Sequence, residues 1–159
     1  MIPTTRQTNL VIFLGCTLLI LIALYMQHIM GLVPCYLCVT QRVFVIATGL
    51  IALLAFLHHR HTRFYGAITA LSALAGGFFS GKQLWLQHLP EERVPACGPP
   101  VEYLFDVFNF SDALGMLLRG DGNCAEVQWL FLGLSIPGWT LVCFILLAAL
   151  GLWQMVRRQ

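Results

Sequence analysis

LVIFLGCTLLILIALYMQHIM, residues 10–30, holds no Asp, Glu, Lys or Arg in 21 positions. At 1.5 Å per residue, a helix of that length spans about 31 Å, the thickness of a bilayer's hydrocarbon layer. The run is too long for the core of a secretory signal. Gly31-Leu32-Val33-Pro34 behind it offers no small-x-small cleavage site. It reads as a retained membrane span.

The rest of the chain repeats the pattern. A second run covers about 39–57, interrupted only by Gln41 and Arg42, and a third covers about 64–86, with Lys82 near its far end. A fourth runs over about 137–156, where Pro137 suits a helix start and Trp139 and Trp153 sit near the two ends, as aromatic belts do. Hydrophobic residues make up 58% of the chain and charged residues 10%, against about a quarter charged in a soluble domain. With 159 residues, one domain (1–159) is expected. The expected fold is all-α and integral to the membrane: an antiparallel four-helix transmembrane bundle with a flexible outward loop.

Charge sets the orientation. Arg6, Arg60, Arg63, Arg157 and Arg158 fall on one side of the four spans, and all seven acidic residues lie between Glu91 and Glu126. The positive-inside rule makes the arginine side cytoplasmic, with both termini, and turns loops about 31–38 and 88–136 outward. No basic cluster interleaves with aromatics, which argues against nucleic acid. His58, His59 and His61 read as a solvated turn. Within the long loop, Val101, Leu104, Phe105 and Phe108 recur on one helical face. That face either lies flat on the membrane surface or packs on the top of the bundle. Gly77 and Gly81, with Ala73 one turn before, predict a close helix contact.

Of six cysteines, four lie outside the apolar runs. Cys35-Tyr36-Leu37-Cys38 is a CxxC behind Pro34, at the outer mouth of the second span. At that spacing one thiol attacks as the other leaves, so the pair can cycle between dithiol and disulfide. The same motif can be half of a zinc site, but no second CxxC or HxxxH completes one, so no metal is expected. Cys38 falls in the first turn of the second helix, where the dipole favours thiolate. Arg42 lies one turn deeper on the same face, and an arginine this near a membrane interior is a functional candidate. Outside the cytoplasm, two loop cysteines such as Cys97 and Cys124 usually pair. The glycines and prolines around both suggest exposed, mobile sulfur. Cys16 and Cys143, mid-span, read as small packing residues.

Three classes remain open on these residues: a thiol oxidoreductase, a membrane protein using CxxC as metal ligands, and a structural subunit with static disulfides.

The arrangement resembles the bacterial disulfide bond formation protein B family, DsbB. The resemblance covers nearly the whole chain. It rests on Pro34-Cys35-Tyr36-Leu37-Cys38-Val39-Thr40-Gln41-Arg42, on Asn123-Cys124-Ala125-Glu126-Val127-Gln128-Trp129 and on Phe131-Leu132-Gly133-Leu134-Ser135-Ile136-Pro137-Gly138-Trp139. It implies an enzyme that reoxidises a periplasmic DsbA-like thiol oxidase and passes the electrons to the membrane quinone pool (ubiquinone or menaquinone). By the same resemblance, Cys97 is the sulfur attacked by the reduced partner, and Cys124 is its mate and exchanges with Cys35. Cys38 contacts the quinone ring and Arg42 holds it. The family often carries a quinone-site histidine near the end of the third span; Gln83 aligns there, with His88 five residues on. The family's frequent glutamate before the arginine is Gln41. A vitamin K epoxide reductase-type enzyme is a more distant alternative, with the loop cysteines and motif in another order.

Overall fold

The computed structural model describes residues 4–58, 61–101, 103–104 and 108–156. Five α-helices occur among them: α1 (Thr5–His28), α2 (Tyr36–His58), α3 (Thr62–Gln87), α4 (Phe110–Arg119) and α5 (Ile136–Val156). α1, α2, α3 and α5 are each long and apolar enough to cross a membrane. The chain is a multi-pass membrane protein built as a four-helix bundle. α1 begins before its apolar run because Thr4 and Gln7 form a reciprocal capping box, which satisfies two otherwise unpaired donors.

The bundle places apolar side chains outward and small or polar ones inward. Val11, Leu18, Leu50, Leu71 and Val156 are exposed, whereas Asn9, Thr48, Ser80 and Gln154 are buried. In lipid, leucine gains little from the interior, so close packing and interhelical hydrogen bonds hold the helices together. Gln154 Nε2 donates to Asn9 Oδ1 at 2.9 Å, tying the end of α5 to the start of α1. Thr48 and Ser72 share a 2.9 Å hydrogen bond between α2 and α3.

A close contact joins α3 to α5, and of the residues expected from spacing Ala73 and Gly77 lie on it while Gly81 does not. A Cβ on Gly66 would lie 2.8 Å from the Gly151 carbonyl oxygen, and one on Gly76 would strike the Phe144 ring at 2.3 Å. Gly81 has open space around it, and Gly77 meets Phe144 only at ordinary contact distance. Gly66 and Gly76 are the tightest points of that contact, a spacing that the short GxxxG pattern does not register.

The long loop docks on the bundle. Leu104, Ala113 and Cys124 bury against Cys35, Tyr36, Leu37 and Leu86 in one apolar cluster, with Val101 and Phe108 packed at its edge. The apolar face expected over 101–108 therefore packs on the bundle top rather than lying on lipid; Phe105 is outside the described residues. The well-formed loop helix is α4, immediately after it. Its last carbonyls, which have no partner within the helix, are taken by the bundle. Thr40 Oγ1 donates to the Leu117 oxygen at 3.0 Å and Lys82 Nζ to the Leu118 oxygen at 3.0 Å. Gly120 ends α4 at φ 76°, where a side chain would be strained. A short antiparallel hairpin pairs Leu130–Phe131 (β1) with Leu134–Ser135 (β2) and leads into α5.

Candidate active site

Where Pro34 ends the extended segment, α2 begins at Tyr36. The CxxC thus straddles a helix start, with Cys35 just before it and Cys38 in its first turn. The two Sγ atoms lie 2.8 Å apart, and the Cys38 N–H donates to Cys35 Sγ at 3.4 Å. One helical turn has folded the motif so that its sulfurs face each other.

Gln83, buried on α3, reaches both sulfurs. Its Nε2 donates to Cys35 Sγ at 3.2 Å and to Cys38 Sγ at 3.3 Å. A short polar chain fixes which end of the amide faces the cysteines. Gln41 Nε2 donates to Gln83 Oε1 at 2.7 Å, and Thr140 Oγ1 donates to Gln41 Oε1 at 2.8 Å. His88, in contrast, caps the end of α3 and bonds the Leu84 carbonyl oxygen at 2.7 Å. The structure brings Gln83 to the sulfurs and leaves His88 exposed.

The two loop cysteines are unlike each other. Cys97 is exposed. Cys124 is 0% exposed, against the expectation of mobile sulfur, because it packs into the cluster of Cys35, Tyr36, Leu37 and Leu86, and the loop around it packs tightly at Gly122. A Cβ on Gly122 would lie 2.5 Å from the Pro95 carbonyl oxygen and 3.0 Å from Cys97 Sγ. Cys97 and Cys124 are thereby held in one place.

Cys124 also meets the other pair. Cys35 and Cys124 pack in one apolar cluster; the Cys124 and Cys38 sulfurs beside it, together with burial, push the Cys35 thiol well above the ordinary range. A thiol so held stays protonated and is a poor nucleophile.

Arg42 turns toward α1. Its guanidinium donates to the Gln27 side-chain oxygen and, at 3.2 Å, to the Ala23 carbonyl oxygen. A cavity of about 340 Å³ opens beside it between α1, α2 and α5. Cys38, Gln41, Arg42 and Gln27 line its polar end, and Leu19 and Leu147 its apolar depth. Cys143 lines the same cavity, while Cys16 packs in the mid-bundle core.

Three contributors escape the sequence reading: Gln27, Thr140 and Asp121. Gln27 is one of the few polar residues in an otherwise apolar first span, a signal that was available. Thr140 looks like any small residue of the fourth. Asp121 lies three residues before Cys124, and its carboxylate accepts from the Gly98 N–H, the Asn123 amide and the Cys124 thiol.

Residues 5–154 match the sequence model of the family described as Disulfide bond formation protein DsbB. The chain belongs to the DsbB family. It is 52% identical over 160 residues to Disulfide bond formation protein B of Saccharophagus degradans, covering 99% of this chain and 96% of that one. It is 50% identical to the protein of that name from Marinobacter nauticus, over 98% and 94% of the two chains. The Stutzerimonas stutzeri protein is 44% identical over 99% of each. Membership of the DsbB family places this chain in disulfide bond formation, an oxidoreductase role. A membrane bundle that gathers Cys35, Cys38 and Cys124 in one cluster is consistent with it.

Proposed function

We propose that this chain reoxidises a periplasmic DsbA-like dithiol oxidase by thiol–disulfide exchange and passes the electrons to membrane quinone. The observation that carries the proposal is the contact between Cys35 and buried Cys124, which joins the two cysteine pairs through one sulfur of each.

The exchanges then follow from access and geometry. A thiolate of the reduced partner attacks Cys97, the exposed sulfur, breaking the Cys97–Cys124 bond and releasing Cys124 as thiolate. Cys124 attacks Cys35, forming Cys35–Cys124 and expelling Cys38 with the electron pair. The partner's second thiol displaces Cys97 and leaves the partner oxidised. Cys97 closes again on Cys124, freeing Cys35. Two electrons have moved from the partner to the Cys35–Cys38 pair. Gln83, aimed by Gln41, donates hydrogen bonds to the sulfurs on which that charge arrives, and a bond to a charged group is worth about 1.5–3 kcal/mol.

The cavity beside Cys38 fits a quinone by its chemistry: donors at the polar end for ring carbonyl oxygens, and an apolar depth for a hydrocarbon tail. Arg42, positioned by Gln27, and Cys38 would hold the ring there. A bound quinone would supply a two-electron, two-proton acceptor. DsbA-like oxidases are strong oxidants near about −120 mV, so their reoxidation needs such a sink. The arginine distribution supports the bacterial inner membrane with both termini cytoplasmic.

Purified protein mixed with reduced candidate oxidases and quinone tests the proposal. Partner-dependent quinone reduction is expected. Quinone left oxidised with every partner, despite closed Cys35–Cys38 and Cys97–Cys124 pairs, would contradict it.

A further inference from the structure

Asp121 is only 4% exposed, and its three hydrogen-bond partners are all neutral. Its Oδ1 accepts from the Cys124 thiol at 3.3 Å. Its Oδ2 accepts from the Gly98 N–H at 3.0 Å and from Asn123 Nδ2 at 2.6 Å. Burying a carboxylate without a cation is costly, so the site gives something in return. Gly98 directly follows Cys97. One side chain therefore grips the inner sulfur with one oxygen and the backbone beside the outer sulfur with the other. Gly122 reinforces the grip: its N–H donates to the Ala96 carbonyl oxygen at 3.3 Å, and its missing side chain lets Cys97 Sγ and the Pro95 carbonyl approach.

We propose that Asp121 is the latch that docks the Cys97 segment onto Cys124, so that this disulfide closes inside a preformed site. The inference deepens the proposed function and rests on it for the meaning of the pair. Closing a bond across the stretch 98–123 otherwise carries the entropy of bringing two distant segments together. The latch meets that cost before the sulfurs bond. It also keeps Cys124 beside Cys35, so that one residue positions the sulfur common to both exchanges. Disulfide closure gives up the long thiol–carboxylate hydrogen bond but keeps the two N–H donors, so the docking effect dominates. Asp121, buried behind the cysteines, is a positioning residue.

The test is the thiol–disulfide equilibrium of Cys97–Cys124 against glutathione. It uses the full-length chain in detergent, with Cys35 and Cys38 replaced by serine so that the pair is measured alone. Closing the pair converts one glutathione disulfide to two thiols. Asp121→Ala is expected to shift the equilibrium at least about tenfold toward dithiol, which is about 30 mV for a two-electron couple. Asp121→Asn keeps an oxygen for the Gly98 N–H and should stay within about threefold of the parent. Gly122→Ala keeps the carboxylate but wedges the Cys97 segment away, and should shift in the same direction as Asp121→Ala. Circular dichroism checks that each variant remains helical. Equal shifts in Asp121→Ala and Asp121→Asn would overturn the latch in favour of a charge effect, and no shift in Asp121→Ala or Gly122→Ala would overturn it outright. A parent pair that never closes would overturn the proposed function together with the latch, a result distinct from a closed pair indifferent to Asp121.

Discussion

Gln41 donates its amide N–H to Gln83 Oε1 at 2.7 Å across the gap between α2 and α3, and that one bond decides what the cysteines face. With its oxygen occupied, Gln83 turns Nε2 toward Cys35 and Cys38. Both sulfurs meet a donor, which suits a thiolate, while the protonated Cys38 thiol also reaches Gln83 Oε1 at 3.6 Å.

Gln83→Leu should therefore slow the step that leaves charge on Cys38. Loss of a hydrogen bond to a charged sulfur, about 1.5–3 kcal/mol, corresponds to roughly a ten- to hundredfold fall in the rate of quinone reduction. Gln41→Leu should give a smaller fall, since Gln83 keeps its N–H but loses its orientation. Single-turnover kinetics separate this step from partner oxidation, which should change less than about threefold. An equal loss in both half-reactions would point to damaged folding instead.

The cavity makes a second expectation. Arg42→Ala should raise the apparent quinone KM by at least about tenfold, with partner oxidation nearly unchanged. Arg42→Lys should restore little, because a single ammonium does not replace the planar fork of donors held by Gln27. Cys143 lines the same space, so Cys143→Ala should leave turnover within a few-fold while Cys143→Phe should raise the quinone KM. Steady-state titration of quinone in each variant reads all four.

Thiol reactivity should be ordered by access and proton affinity. Alkylation requires thiolate. The neighbouring Cys124 and Cys38 sulfurs, with burial, raise the Cys35 pKa, so its thiolate fraction is depressed at any given pH. In the reduced protein, iodoacetamide should modify exposed Cys97 first and Cys35 at least about tenfold more slowly. The Cys35 rate should still be climbing above about pH 10, where an ordinary thiol near pKa about 8.5 has levelled off. Timed quenching with peptide mass spectrometry follows each site; early capture of Cys35 at pH 7 would contradict the contact with Cys124.

Orientation is checked by reporter fusions. Fusions after Arg63 and Arg158 should report cytoplasm, and fusions within 100–120 should report the opposite side. A cytoplasmic signal from that loop would reverse the proposed topology.

The bundle is legible in the sequence because twenty apolar residues in a row have essentially one solution in water's absence, a spanning helix. The CxxC and the two loop cysteines are legible too, since cysteine chemistry depends on residue type and spacing. Burial is not. Glycines around Cys124 look like a mobile loop, yet Gly122 serves close packing, and only the fold shows Cys97 open and Cys124 enclosed. Contacts between distant elements are equally silent. Nothing local links Gln27 to Arg42, Asp121 to Gly98, or Thr140 to Gln41. Gly66 and Gly151 meet because two helices cross there, which no motif of either helix announces.

The relay from Cys97 through Cys124 to Cys35 is tested most directly by trapping it midway. A reduced DsbA-like oxidase lacking its second cysteine can attack but cannot leave, so the covalent complex with the oxidised full-length chain should accumulate. Mass spectrometry of non-reduced peptides then reads which sulfurs are joined. The relay predicts two bonds in the same complex, partner to Cys97 and Cys124 to Cys35, with Cys38 free. A partner bonded to Cys35 or Cys38, or a complex through Cys97 in which Cys35–Cys38 stays closed, would contradict it.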